Sequence, residues 1–245
     1  MPSNVQLFLG DLPIQSGYLG DKYTEAYLNP SSAPAYVTDG LIIYMDSTEP
    51  ASYPGSGTTW YNLVSGQPYV GTIGASVTYT GQYLQTYSSP TTAASGIIIT
   101  TSSFYTGPHT IMSATRYTDT SGNGRMLAGN SNNWLLGQWQ NTTENYYAEG
   151  WVYGAGSGAN DTNWRIYTAT GDQASDSYSF FLNGTLLQSG STAGSGGPNG
   201  LFAGSWGGSS EHSDGQVCFV MVYNRILSTA EVTQNYNALK SKVGL

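Results

Sequence analysis

The acidic side chains, two histidines and one cysteine are the residues of this chain with the reactivity for catalysis or metal binding. Glycoside hydrolysis needs two carboxylates flanking one bond. Alternate residues of a strand share a face, so Glu-x-Asp-x-Glu is the pattern that would supply them. That pattern does not occur. Glu144 and Glu149 are five apart, which puts them on opposite faces of a straight strand, and Glu211 and Asp214 fall in a loop-like stretch. All four are expected to be solvated surface acids. His109 and His212 are too few for a zinc site, which draws several His or Cys ligands. His212 stands beside Glu211 and Asp214, but no nucleophile elbow accompanies it. Gly122-Asn123-Gly124 and Gly204–Gly208 lack the Gly-Lys-Ser/Thr that completes a phosphate loop. Cys218 lies inside Val217-Cys218-Phe219-Val220-Met221-Val222-Tyr223 and reads as a buried packing thiol; no intrachain disulfide is possible.

Two sets of residues keep a binding role open. Asp119, Asn123 and Asp214 offer the carboxylate and amide oxygens that calcium prefers, although ordinary turn chemistry accounts for the same residues. Trp134, Trp139, Tyr147 and Trp151 belong to an aromatic-rich middle that also holds Tyr146, Tyr153 and Trp164. Aromatic faces stack on sugar rings and anchor interfaces, while core packing explains half or more of such a cluster. The many Asn, Gln and Thr residues nearby favour a carbohydrate-binding surface for the remainder.

The elements that must position these residues are strands. Leu41–Met45, Val77–Thr80, Tyr83–Gln85, Ile97–Ile99, His109–Tyr117, Trp134–Trp139, Tyr146–Tyr153, Trp164–Thr170, Leu201–Gly204 and Val217–Tyr223 are apolar or rich in β-compatible residues, and Gly and Pro clusters separate many of them. Ser179–Leu182 and Thr185–Leu187 flank Asn183-Gly184, the signal of a type I′ hairpin. Gly190–Gly200 reads as a low-complexity loop. One helix is expected at about Thr229–Lys240: Ser228 and Glu231 form a capping box, Leu227 and Val232 a staple, and Val232, Tyr236 and Leu239 an apolar stripe.

Residues 1–39 differ. They hold four prolines and dispersed apolar residues, among them Phe8, Leu9, Leu12, Ile14, Tyr18 and Leu19, with no sustained period. These six are expected to dock an extended N-terminal arm on a partner, the alternative being a disordered leader. Met1-Pro2-Ser3-Asn4 has neither the basic region nor the apolar core of a signal peptide, so none is expected.

Gly40–Asp46 with Ser52–Leu63, then Tyr178–Gly184, then Gly215–Ser228 with Glu231 and Asn235-Tyr236 resemble, in order and spacing, the laminin-G-like, concanavalin A-like superfamily. The resemblance runs from about Gly40 to Lys240. It implies an antiparallel jelly-roll β-sandwich with a short C-terminal helix over residues 40–245, and calcium as the one cofactor such domains often carry at the sandwich rim. Cys218-Phe219 departs from the family, where an acidic residue often precedes the valine-rich strand. The arm joined to such a domain resembles phage virion proteins: capsid decoration proteins, head fibres and adhesins.

Charge narrows the partners. The net charge is −8 and no lysine lies between Lys22 and Lys240, so neither nucleic acid nor an anionic membrane has a basic patch to meet. The expectation is a non-enzymatic virion protein. Its arm clamps a major capsid or other virion protein, or a sister copy in a homo-oligomer, and its sandwich faces outward on the particle. The rival is an extracellular or cell-surface adhesin that binds host glycans; a glycosidase ranks last.

Overall fold

The computed structural model of the chain describes residues 8–9, 12–13, 35–88 and 96–245. Contact clustering divides the chain into two units at 33/34. In the first unit β1 (Phe8–Leu9) pairs antiparallel with β2 (Leu12–Pro13). Ile14, Tyr18 and Leu19 lie outside the described residues.

The second unit is a mostly-β sandwich, as the sequence implied. Its strands are β3 (Leu41–Asp46), β4 (Thr59–Tyr61), β5 (Val70–Ile73), β6 (Thr78–Tyr79), β7 (Leu84–Thr86), β8 (Ile97–Ser103), β9 (His109–Tyr117), β10 (Leu127–Gly129) and β11 (Trp134–Trp139). They continue with β12 (Thr142–Ala148), β13 (Trp151–Tyr153), β14 (Arg165–Asp172), β15 (Ser177–Leu182), β16 (Thr185–Ser191), β17 (Asn199–Ala203) and β18 (Gly215–Tyr223), before α1 (Thr229–Leu239). The first sheet runs β13-β12-β11-β10-β17-β8-β5-β4. The second runs β16-β15-β14-β9-β18, and the far side of β18 is shared by β7 at Gly215–Val217 and β3 at Phe219–Tyr223. All of these pairings are antiparallel.

Apolar side chains from both sheets form the interior, including Trp60, Trp134, Leu136, Tyr146, Tyr167, Phe180, Val220 and Val222. The second sheet also packs on its outer face. There Met112, Ile166, Phe219, Met221 and Tyr223 meet Leu227, Val232 and Leu239 around α1. Cys218 is fully buried in that layer, and burial raises its thiol pKa above the ordinary range. The packing role expected for it holds.

The hairpin at Asn183-Gly184 forms with φ of 48° and 75°, joining Leu182 to Thr185. A second hairpin of the same handedness turns at Gln140-Asn141, with φ of 47° and 63°, and joins Trp139 to Thr142. The expected single strand Tyr146–Tyr153 is instead two strands. Glu149 takes a φ of 57° and the chain reverses there. The expected loop Gly190–Gly200 narrows, because β16 runs to Ser191 and β17 starts at Asn199. Residues 35–39 are bonded to the body. Gln234 Nε2 donates to Ala35 O at 2.7 Å, Val37 N–H donates to Asn235 Oδ1 at 2.7 Å, and Arg225 pairs with Asp39.

The capping box is formed on both sides, with Ser228 Oγ accepting from Glu231 N–H and Glu231 accepting from Ser228 N–H. Arg225 adds a charged partner at 2.6 Å from Glu231 Oε1. The Arg225 hydrogen bond, with help from Ser228, brings the Glu231 carboxyl down to about 2. Ser228→Ala is expected to cost roughly 0.5–2 kcal/mol of stability, and Glu231→Ala more, because it also removes one of the two carboxylates paired with Arg225. A carboxyl held low in the folded state stabilises above its unfolded pKa. That contribution is lost as pH falls from about 4.5 to about 2. Thermal melts of the parent and Glu231→Ala across this window should converge at the acid end; a constant gap would refute the linkage.

Candidate functional site

The described histidines cannot share a ligand. His109 opens β9, and His212 O accepts from Gly124 N–H next to Tyr117, which closes β9. Eight residues of strand, roughly 26 Å, lie between the two regions. His109 is buried, with Nδ1 3.0 Å from Gly107 O and Nε2 without a partner among the described residues. Burial lowers its pKa, against opposing effects of Gly107 O and Asp172, so the neutral ring is favoured. Glu144 lies within β12 and Glu149 in the turn after it, where the chain reverses, so the straight strand that would set them on opposite faces does not run between them. Glu211 is not a free surface acid. It pairs with Arg125, whose side chain is 5 % exposed and whose guanidinium carbon lies 4.5 Å from the centre of the Trp206 ring. This Arg–Glu–Trp group, with Arg125 buried and Glu211 and Trp206 half-buried, is not evident in the sequence. Its only local signal is the lone Arg125 leading into the apolar Met126-Leu127-Ala128.

Asp119, Asn123 and Asp214 do come together, through hydrogen bonds. Asn123 Oδ1 accepts from Asp214 N–H at 2.8 Å, and Asn123 Nδ2 donates to Asp119 O at 2.8 Å. Asp119 Oδ1 caps its own turn through Thr120 and Ser121, and Asp214 Oδ2 accepts from Ser88 Oγ. Among the described residues no cluster of three or more His, Cys, Asp or Glu can hold a metal ion. Asn123 Oδ1 is engaged by Asp214 N–H, and turn and loop hydrogen bonds account for the three residues without an ion.

The four aromatic candidates separate. Trp134 is fully buried and packs edge-on against Tyr146, 5.8 Å between ring centres. It is a core residue, and its assignment to a sugar-binding surface is corrected: a ring without solvent access cannot stack on a sugar. Trp139, Tyr147 and Trp151 are half-buried and meet one another. Trp139 and Trp151 lie 5.1 Å apart at 53°, and Tyr147 and Trp151 5.1 Å apart at 73°. Strand alternation explains the division. Trp134, Leu136, Tyr146 and Ala148 point into the sandwich, so Tyr147, its cross-strand partner Trp151, and Trp139 take the outer face.

The turn carrying Trp151 is held in place. Ala148 N–H donates to Gly150 O at 2.9 Å, and Ser195 N–H donates to Ala148 O at 2.8 Å. A Cβ at Gly150 would stand 1.8 Å from Ala193 O, so only glycine allows this approach. The Gly/Ser segment after β16 therefore acts as a clamp on the aromatic hairpin.

No protein-family model matches the chain, and no curated protein matches it. Solved structures do share its fold. Trypanosoma rangeli sialidase aligns with a TM-score of 0.60 at 14% identity, over 86% of this chain and 34% of its own. The binding domain of Paraclostridial Mosquitocidal Protein 1 aligns at 0.56 with 16% identity, over 81% and 52%. The botulinum neurotoxin type G receptor binding domain aligns at 0.53 with 14% identity, over 81% and 51%. The chain thus spans about a third of the sialidase and about half of the two toxin chains. At these identities the likeness is one of fold.

Asn123→Ala removes an acceptor from Asp214 N–H and a donor from Asp119 O, and is expected to cost about 1–3 kcal/mol. Chelator and added calcium should leave the melting temperature of the parent unchanged. A rise of several degrees with calcium would show that the cluster rearranges to bind the ion.

Proposed function

We propose that the sandwich is a non-catalytic binding module that takes carbohydrate on the outer face formed by Trp139, Tyr147 and Trp151. The observation that carries this reading is a set of three half-buried rings at one end of a sheet, Trp139 and Tyr147 each packed against Trp151. Exposed aromatic clusters are not needed by the core, and they present the flat apolar area on which sugar rings stack. The absence of catalysis is part of the proposal. It is supported by the separation of Glu144 from Glu149 and by the engagement of Glu211 with Arg125. Two of the fold neighbours carry a binding role in their names, which agrees with a binding role here.

The test is a glycan array probed with the full chain, followed by titration of the bound sugar. Trp151→Ala is expected to weaken binding about 30-fold or more. Trp164→Ala serves as a control. Trp164 packs with the layer beneath α1, on the other side of the sandwich, and should leave affinity unchanged. Equal affinity for the parent and Trp151→Ala would remove the reading.

A second reading concerns where the module works. We propose that residues 1–33, the part of the arm outside the sandwich unit, attach it to a virus particle, through a major capsid or other virion protein, with the sandwich on the outer surface. The separate N-terminal unit, Met1–Ala33, favours an attachment segment distinct from the sandwich. Full-length protein should co-sediment with particles lacking it, and protein without residues 1–33, shown to be folded by circular dichroism, should not. Equal co-sedimentation would refute the attachment role.

A further inference from the structure

We propose, resting on the carbohydrate reading of the outer aromatic face, that Glu149 is its polar partner and makes the site select neutral glycans over acidic ones. Glu149 forms the turn between Tyr147 and Trp151, two residues from each. Its backbone is left-handed, with a φ of 57°. Asn or Gly is the ordinary occupant of such a position, and a glutamate there is kept against its conformational preference. Strain of this kind collects at functional positions. Glu211 has the same backbone conformation, with a φ of 48°, but its carboxylate is explained by Arg125. Glu149 has no ion pair among the described residues. Its Oε1 accepts from Asn133 N–H at 2.9 Å, and Glu149 N–H donates back to Asn133 O at 3.3 Å. The bonds fix the side chain at the tip of the hairpin and leave Oε2 to accept from a ligand. The clamp at Gly150 and Ala148 fixes the backbone beneath it.

A sugar presents an apolar ring face and a rim of hydroxyl donors. Rings beside a positioned carboxylate match both, with stacking on one side and hydroxyl donation to the carboxylate on the other. The same carboxylate repels a sugar that carries its own. No described cation is placed to compensate: Arg125 is buried against Glu211 and Trp206, and Arg165 is bound to Asp161. No lysine lies between Lys22 and Lys240, and the whole chain is at −8. Sialylated, sulfated and uronic-acid glycans therefore meet uncompensated negative charge, and neutral hexose oligosaccharides do not.

The experiment uses an array of neutral oligosaccharides, each beside its sialylated or sulfated counterpart. Tryptophan fluorescence titrations of the full chain then follow with lactose and 3′-sialyllactose, and with the neutral array ligand and its acidic counterpart. The expected result is binding of neutral members, with acidic counterparts weaker by about tenfold or more. Glu149→Gln should weaken the neutral ligand about tenfold and narrow the neutral-to-acidic ratio, a change that a merely structural role would not produce. Glu149→Asn suits the left-handed turn and provides a second variant if the first folds poorly; it should narrow the ratio in the same way. Preference for acidic glycans, or an unchanged ratio in both variants, overturns the proposal while leaving the carbohydrate reading intact if Trp151→Ala still weakens binding about 30-fold. Binding of no glycan at all overturns both.

Discussion

The strand Gly215–Tyr223 has water on neither face. Val220 and Val222 enter the sandwich interior, while Phe219, Met221 and Tyr223 pack in the layer beneath α1. A strand in this position must be apolar along its whole length, and its buried polar atoms must be satisfied from within. Tyr223 shows how. Its hydroxyl donates to Val37 O at 2.8 Å and accepts from Asn235 Nδ2 at 2.9 Å, and Asn235 Oδ1 takes Val37 N–H. One closed group of hydrogen bonds thereby joins the central strand, the terminal helix and the segment that enters the sandwich. The C-terminal turn is pinned in the same economical way, by Lys242 reaching Asp46, a fully buried carboxylate that also accepts from Tyr44 and Thr48.

The first sheet is covered differently, and that difference creates the aromatic surface. A helix layer lies over the second sheet. On the first sheet, Arg125 fastens the segment containing Trp206 and Glu211 near β10 and β17. The β11–β13 end carries Trp139, Tyr147 and Trp151, each half-buried. Three rings stand there, each shielding part of the next, so the apolar area left to solvent is smaller than three isolated aromatics would show. Contact among themselves and the clamp at Gly150 hold them in place. A ligand that lands on them orders little that is not already ordered.

Most of the fold was legible because its strongest signals are local. The run Val217–Tyr223, the Asn183-Gly184 turn and the Ser228–Glu231 box each contain the physics that makes them. The candidate site was half legible, for a reason that Trp134 and Trp139 make plain. Alternation puts Trp134 with Leu136 on one face of β11 and Leu135 with Trp139 on the other, and either set is apolar enough to be core. Tyr146 and Tyr147 pose the same choice on β12. Only the second sheet, arriving from distant sequence, decides which face is interior. The reversal at Glu149 was hidden because Ala-Glu-Gly-Trp carries no strong turn residue except Gly150, and the contact that demands glycine there comes from Ala193, more than forty residues away. The calcium candidates Asp119, Asn123 and Asp214 are neighbours in the fold. They join by hydrogen bonding among themselves, which composition alone does not distinguish from oxygen donors waiting for an ion.

The scarce positive charges bear on what the proposed surface can recognise. Each of the six described cations is already engaged. Arg116 bonds Gln216 and lies over Trp164, Arg125 holds Glu211, Arg165 holds Asp161, Arg225 holds Glu231 and Asp39, Lys242 holds Asp46 and Glu49, and Lys240 lies over Tyr236. Cations spent on internal structure do not steer a partner from a distance, and the surplus of carboxylates repels anionic surfaces. What is left for recognition is stacking and short-range hydrogen bonding, neither of which needs a counter-charge. An interaction built from those two terms is weakly dependent on salt and depends on the fit of rings and hydroxyls. Those two terms are what the proposed carbohydrate reading asks of Trp139, Tyr147 and Trp151.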